Sequence, residues 1–341
     1  MSNQELKFTR GEIDRAGDVL ARGAVHVTNE KAWEMLENWR ASHHVPLQYL
    51  AINLRRHAEK VDKNALLARR LKRAPAIFAK LKRENEMLLS RMQDIAGCRA
   101  IMPSLAKTLQ LVQSFKSSTQ NHEFVREKNY VDAPKPSGYR GVHLIYKFKS
   151  TEAKNLPWNG RAVEIQIRSR YQHIWATAVE IVGMLTHQAL KSSKGSQDWL
   201  NFFKAVSDGF ALLDKGEKVP DVLARKITKL AKLLDVQKRL AAYSYAIKTV
   251  EKANANFYLL VIEDMQLNIK GFKDSEVADK AYSDEEKRLV TNPNSDVVLV
   301  VAESFHALKR AYPNYFGDSQ KFLKELSSLI ILRKQWWQFL A

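Results

Sequence analysis

Apolar residues in the first 90 positions recur at helical spacing. Trp33, Leu36 and Trp39 stand at i, i+3 and i+6, and the pattern predicts helices over 11–22, 29–42, 47–61 and, with interruptions, 63–89. Pro46 and Pro75 fall where such helices should break, because proline lacks an N–H and its ring crowds the preceding turn. From Cys98 onward the texture changes to short runs rich in β-branched and aromatic residues. These predict strands over 99–102, 124–129, 143–149 and 162–168, with helices over 105–117 and 171–190. Further on, the pattern predicts a helix over 199–213, a long basic helix over 215–252 and strands over 257–263, 267–269 and 297–301. Helices over 276–290, 303–311 and 318–331 complete the set, and Pro293 marks a turn at 292–294.

This order predicts an α/β (α+β) chain: a mixed sheet with flanking helices, followed by a small C-terminal α+β domain. The boundary is expected near residue 250, which divides the chain into 1–215, a basic linker helix over 216–250, and 251–341. The length of 341 residues suits two domains, each with its own core.

Charge sharpens this picture. The chain holds 55 Lys and Arg against 37 Asp and Glu, a formal net charge of +18. Between Arg55 and Arg83 there are eleven bases and two acids, so half of the excess sits in one stretch. Such density points to a polyanion, either nucleotide phosphates or RNA. The stretch 215–252 has ten bases and four acids, which fits either a solvated helix face or an RNA-holding one. Residues 263–288 reverse the sign, with eight acids and five bases.

No run approaches the 18 or more apolar residues of a membrane span, and the first ten residues are polar. A cytoplasmic location is expected. The single cysteine, Cys98, leaves no internal disulfide framework, and no Cys/His cluster has zinc-ligand spacing. Walker-type, Gly-x-Gly-x-x-Gly and His-Glu-x-x-His motifs are absent.

Four segments place polar groups where an ordinary core would not. Arg70 and Lys72, with Lys80 eight residues later, could converge on one triphosphate or simply form a solvated basic helix. Asp94, five residues ahead of Arg99 and the apolar run that follows, is either a turn cap or a metal ligand. Residues 163–168 alternate strictly, setting Glu164, Gln166 and Arg168 on one strand face and Val163, Ile165 and Ile167 on the other. That polar face lines a cleft or meets solvent. Two carboxylates on neighbouring strands would suit Mg²⁺, a hard cation that keeps waters and substrate phosphates in its shell. Between these segments, a loop from Tyr130 to His143 holds Pro134, Pro136, Gly138 and Gly141, with Tyr139 as a stacking surface and His143 as a hydrogen-bonding group.

In this order, over about residues 10–215, the segments resemble the synthetase domain of the RelA/SpoT family. The family's Arg-x-Lys with a downstream Lys matches Arg70, Lys72 and Lys80. Its Asp-Ile-x-Gly-x-Arg matches Asp94 to Arg99, its Tyr-x-x-x-Pro-Lys-x-x-Gly-Tyr-x-x-x-His matches Tyr130 to His143, and its Glu-Ile-Gln-Ile-Arg matches Glu164 to Arg168. The resemblance implies a nucleotidyltransferase-like domain that moves the β,γ-pyrophosphate of ATP to a 3′-hydroxyl. Arg70, Lys72, Lys80 and Arg99 would hold ATP, while Asp94 and Glu164 would bind Mg²⁺ and carry the catalysis. Tyr139, His143, Gln166 and Arg168 would receive the acceptor, with Tyr139 stacked on its base and Glu164 accepting the hydroxyl proton. One departure is Ala76, where the family often has a serine four residues before the lysine. No hydrolase segment with a His-Asp pair precedes these motifs, which implies synthesis without self-reversal.

Two further segments, Trp39 to His43 and Val179 to Gly183, resemble the toxic small synthetases of this family, several of which modify the CCA end of tRNA while others make (p)ppGpp or (p)ppApp. The high positive charge favours tRNA as acceptor, because a free nucleotide needs only a few cations. The C-terminal part, with Tyr312 and Tyr315 in Tyr-x-x-Tyr spacing, resembles the fused toxin–antitoxin CapRel type. There such an element covers the adenine site, and a phage major capsid protein relieves the block. Read from residues alone, Phe305, Leu308 and Tyr312 equally form a core stripe ended by Pro313. Phe322, Leu326, Leu329 and Ile330 form another stripe, and Trp336, Trp337 and Phe339 either cap a core or meet a partner. A reading from another class is a non-catalytic RNA-binding regulator, which would leave Asp94 and Glu164 idle.

Overall fold

The computed structural model describes residues 5–21, 29–84, 86–118, 121–185, 190, 195–237, 240, 255–263, 266–290, 292, 295–301 and 319–330. Three helices open the chain: α1 (Arg10–Ala21), α2 (Glu30–Ala41) and α3 (His44–Val61). They are followed by β1 (Leu66–Leu71), α4 (Ala74–Arg83), a 3₁₀ turn (Leu89–Arg91), β2 (Ala96–Met102), α5 (Leu105–Ser117), β3 (Glu123–Asn129), β4 (Val142–Lys147) and β5 (Ala162–Ser169). Next come α6 (Arg170–Leu185), α7 (Gln197–Asp214) and α8 (Asp221–Leu233). The remaining elements are β6 (Phe257–Glu263), β7 (Gln266–Phe272), α9 (Ser275–Leu289), β8 (Asp296–Val301) and α10 (Ser319–Leu326).

Strands β1 to β5 form one mixed sheet in the order β1-β2-β5-β4-β3, with β2 and β5 parallel and the other neighbours antiparallel. The expected α/β class, a sheet with helices around it, is what the chain adopts. One face is apolar. Cys98, Ala100, Leu144, Tyr146, Val163, Ile165 and Ile167 pack there against Leu47, Leu50 and Leu54 of α3 and Leu111 and Phe115 of α5. The other face carries the polar residues of the alternating strands.

Two expectations need correction. Residues 63–89 are not an interrupted helix: 66–71 form an edge strand whose backbone pairs with β2 from Leu66 opposite Ile101 to Leu71 opposite Ala96. The backbone of β2 needed a partner on that side, and the ladder overrides the helical propensity of Leu, Ala and Arg. Nor is 215–252 one helix. Gly216 takes φ +76°, Pro220 precedes the first turn of α8, and Asp235 at φ +52° closes the helix soon after Leu233. Helix α8 is not a free linker either, since Ala224, Ile227 and Ala231 join the core formed by α6 and α7.

A second, three-stranded antiparallel sheet, β7-β6-β8, is covered by α9 around Leu259, Val261, Tyr282, Leu289 and Val297. The last described helix returns to the first unit. Phe322, Leu323, Leu326, Leu329 and Ile330 are buried with Phe202, Phe203 and Phe210 of α7, so that stripe is core. No helix among the described residues is long and apolar enough to cross a membrane. The expected helix 303–311, with Phe305, Leu308, Tyr312 and Tyr315, and the aromatics Trp336, Trp337 and Phe339, lie outside the described residues.

Candidate active site

Strand register assembles the polar face into two cross-strand rows. Arg70, Gly97, Glu164, Ile145 and Arg126 are successive neighbours across β1, β2, β5, β4 and β3. One step along lie Ala68, Arg99, Gln166, His143 and Lys128. Gly97 contributes no side chain, so the row stays open between Arg70 and Glu164. The rows floor a cleft of about 560 Å³ that α4 and the loop after β3 wall in, lined by eleven Lys and Arg and four carboxylates.

At the α4 side, Asp94 sits just before β2 and accepts from Lys72 Nζ at 2.8 Å and from Lys80 Nζ at 2.9 Å. Lys72 follows β1 directly and Lys80 lies in the last turn of α4, so a strand end and a helix bring them to one acid. Burial works against the Asp94 charge, yet the two ammonium groups hold its carboxyl below the usual range. Burial likewise pulls Lys72 down, with Asp94 opposing. The cluster is thus two cations sharing one anion, a net positive corner in a half-buried cleft.

On the other side, His143 Nδ1 lies 2.9 Å from Glu164 Oε1, and Gln166 Nε2 donates to Glu164 Oε2 at 2.7 Å. Burial lowers the His143 pKa and keeps the ring neutral. Its Nδ1–H then donates to Glu164, while Nε2 accepts from the Tyr139 hydroxyl at 2.6 Å. Arg168 Nε donates to the Tyr139 oxygen at 3.1 Å and Arg168 Nη2 to Gln166 Oε1 at 2.8 Å. Burial would raise the Glu164 pKa, but the donated hydrogen bonds of His143 and Gln166 outweigh it and hold the group well below the carboxylate range. Burial, with Arg168 alongside, brings the pKa of Arg99 down to about 10. A guanidinium so placed gains from any anion that enters.

The sequence-assigned residues divide accordingly. Arg70, Lys72, Lys80, Asp94, Arg99, His143, Glu164 and Gln166 all line the one cleft. Tyr139 and Arg168 stand behind it: Tyr139 is 4 % exposed, with Arg168 and Lys135 at 5.0 and 5.1 Å from its ring centroid, and Arg168 is 2 % exposed. As placed, Tyr139 offers no open ring face to a base, because packing and two cations occupy it. Its role here is to fix His143. Tyr130, Lys135 and Glu180 line the cleft and were given no role from sequence. Tyr130 and Lys135 fall at matching positions of the quoted loop motif, and Glu180, which arrives from α6, lies in the Val179 to Gly183 segment; those matches were the available signals.

The loop itself is anchored on α7. Arg140 donates to Asp208 at 2.8 Å and Ser207 at 3.2 Å, and Ser207 Oγ donates to the Gly138 carbonyl. Gly138 takes φ +91°, and a Cβ there would lie 3.0 Å from Lys204 Cα, so a side chain is strained on both counts.

Residues 69–187 match the family model described as the region found in RelA/SpoT proteins. This stretch is similar to the RelA/SpoT region. It holds both carboxylates and all four assigned phosphate-binding bases. Two curated relatives share it: the GTP pyrophosphokinase YjbM of Bacillus subtilis, 32 % identical over 112 residues, and YwaC of the same organism, 29 % identical over 113. Each alignment covers 32 % of this chain, and the chain spans about half the length of these relatives, 51 % and 52 %. Among solved structures, small alarmone synthetase 1 from B. subtilis bound to its product pppGpp aligns with a TM-score of 0.45 at 22 % identity. That alignment covers 54 % of this chain and 94 % of the other. A GTP pyrophosphokinase family protein from Streptococcus pneumoniae aligns at 0.44 and 20 %, covering 57 % and 97 %.

The donor set of this stretch suits Mg²⁺. Asp94 and Glu164 are both held ionised in one cleft with room for phosphates, and two carboxylates are what this cation takes when a substrate supplies the rest of its shell. Among the described residues no group of three or more His, Cys, Asp or Glu encloses a cation.

Proposed function

We propose that this cleft transfers the β,γ-pyrophosphate of ATP to a 3′-hydroxyl, with tRNA as the acceptor. The observation that carries this reading is the pairing of two differently built carboxylate sites in one basic cleft. Asp94 is shared by Lys72 and Lys80, and Glu164 is held by His143 and Gln166.

Lys72, Lys80, Arg70 and Arg99 bind the triphosphate as a set of fixed cations, which is most of what phosphoryl-type transfer asks of a protein. ATP phosphates compete with Asp94 for the two lysines and free that carboxylate. Mg²⁺ held by Asp94 and Glu164 would neutralise charge on the phosphates. Glu164, ionised and aimed by His143, orients the acceptor hydroxyl and takes its proton as the oxygen bonds to the β-phosphorus and AMP departs. Tyr139 and Arg168 keep His143 and Gln166 in place. Ala76 leaves no hydroxyl on the facing turn of α4.

The net charge of +18 supports a large polyanion as acceptor. The second reading, a (p)ppGpp or (p)ppApp synthetase, is favoured by the names of the two curated relatives, both GTP pyrophosphokinases. Incubation of the chain carrying Tyr312→Ala and Tyr315→Ala with γ-³²P-ATP separates them. Label on tRNA, lost with Glu164→Ala, is the expected result, while label only on guanine or adenine nucleotides overturns the tRNA acceptor. Absence of any transfer leaves the RNA-binding regulator.

The reading extends to control. Tyr312 and Tyr315 would cover the adenine site as a built-in antitoxin, released by a phage major capsid protein in antiviral defence. Support for this is their spacing in the sequence. Tyr312→Ala together with Tyr315→Ala should raise transfer in vitro and toxicity in cells, and unchanged activity would remove the block from the account.

A further inference from the structure

Outside the cleft, a buried polar cluster joins the second unit to the first, beside a Ser283–Glu37 hydrogen bond and Val290 packed on the first unit's core. Glu286, near the end of α9, is 1 % exposed, as is Arg40 of α2. Glu286 Oε2 accepts from Arg40 Nη1 at 2.8 Å, and its Oε1 accepts from the Tyr282 hydroxyl and from the Ala74 backbone N–H, both at 2.7 Å. Arg40 Nη2 donates to the Tyr282 oxygen at 2.6 Å. Burial alone would lower the Arg40 pKa, and Glu286 with Tyr282 more than restores it.

Ala74 is the first residue of α4. That helix has no side-chain cap of its own and no acid in its first turn, although a helix start leaves N–H donors unpaired and favours a nearby anion. Glu286 supplies both from 212 residues away. Lys80 stands six residues further along the same helix, on Asp94. We propose that Glu286 is a positioning residue for ATP: it caps α4 from the second unit and thereby sets where Lys80 meets the phosphates. This rests on the ATP-binding reading of the cleft.

The apolar face of α4, Ile77, Phe78 and Leu81, is held by the first unit's own core. What Glu286 adds is an axial and rotational restraint at the helix start. A rigid ten-residue helix transmits it to Lys80 in the last turn.

The test uses the full chain with Tyr312→Ala and Tyr315→Ala as the parent background, so that the adenine site is open, and a methylene-bridged ATP analogue with Mg²⁺, titrated by calorimetry. Arg40→Met with Glu286→Met removes both charges and the cap together while filling similar volume, and should weaken analogue binding about tenfold, the scale of a lost helix cap. Arg40→Met with Glu286→Gln keeps an oxygen on Ala74 and should bind within about threefold of the parent. In turnover assays only the KM for ATP should rise, with that for the acceptor unchanged, which general loosening of the fold would not produce. If the Met/Met chain does not fold, Glu286→Gln alone serves, with a KM for ATP raised about threefold through loss of the charge at the helix start. Parent-like analogue affinity in a folded Met/Met chain overturns the proposal, as does, where that chain does not fold, an unchanged KM for ATP in Glu286→Gln. Failure of the parent chain to bind the analogue at all sinks the ATP reading itself and this inference with it.

Discussion

At the scale of single residues, the cleft works by holding charges in unequal company. Asp94 is one anion between two cations, so Asp94→Asn leaves Lys72 and Lys80 facing each other without a counterion. Phosphate-transfer activity should fall about 100-fold or more, as when a preorganised charge is removed from a reacting site, and the thermal midpoint should fall as well, because the three side chains are only about one-fifth exposed and the lysines lose their counterion. Steady-state kinetics beside a melting curve check both halves. Several histidines are held neutral by burial: His43 is pushed down to about 3, His44 to about 4, and His173 well below its ordinary value. When the folded pKa is depressed, the unfolded chain binds more protons as pH falls through the ordinary histidine value, so stability is full above that pH and is lost below it. For His43, going from pH 7 to 5 removes up to about 2 kcal/mol. The denaturant midpoint should drop markedly over that interval, and a flat profile would refute the assignment.

At the scale of elements, β5 was readable because a strand buried on one face must alternate, and Val163, Ile165 and Ile167 are indeed fully buried behind Glu164 and Gln166. Helix α5 was readable for the same reason at helical period. Strand β1 was not. Leu66 to Leu71 has no alternation, its six residues are all partly buried, and only the open edge of β2 makes it a strand. Proximity of Lys72 and Lys80 was therefore expected for the wrong reason, one helix, and is achieved by a strand end facing a helix. The loop ahead of β4 was legible as a turn but not as an anchored one. Gly138→Ala should cost about 1–3 kcal/mol by forcing a side chain into the left-handed region against the α7 backbone. Its urea midpoint should fall, and transfer with it, since the same loop seats Tyr139 and His143.

At the scale of the whole molecule, charge and topology decide what sequence could show. The basic excess was visible as a stretch, but its convergence depends on β1, β2, β3, α4 and the loop after β3 meeting at one cleft. The Arg40–Glu286 contact was invisible, because nothing local links residues 246 positions apart. If tRNA is the acceptor and about six of these bases meet phosphates, affinity should fall about 10³-fold between 50 and 200 mM salt. Filter binding across that range measures it, and a shallow slope would restrict the contact to a nucleotide.

The return of α10 to the α6–α7 core makes the second sheet an excursion from the first unit rather than an appendage at its end. The β6–β8 unit is leashed on both sides, by the segment after α8 and by the segment before α10. A domain tethered twice cannot diffuse away, and any opening is an intramolecular re-docking at high effective concentration, fast to reverse and independent of how much protein is present. Genetic removal of everything beyond residue 250 would also take Phe322, Leu323 and Leu326 out of the first core. A gap closed from 255 to 318 by a flexible linker frees the first unit while leaving its hydrophobic floor whole.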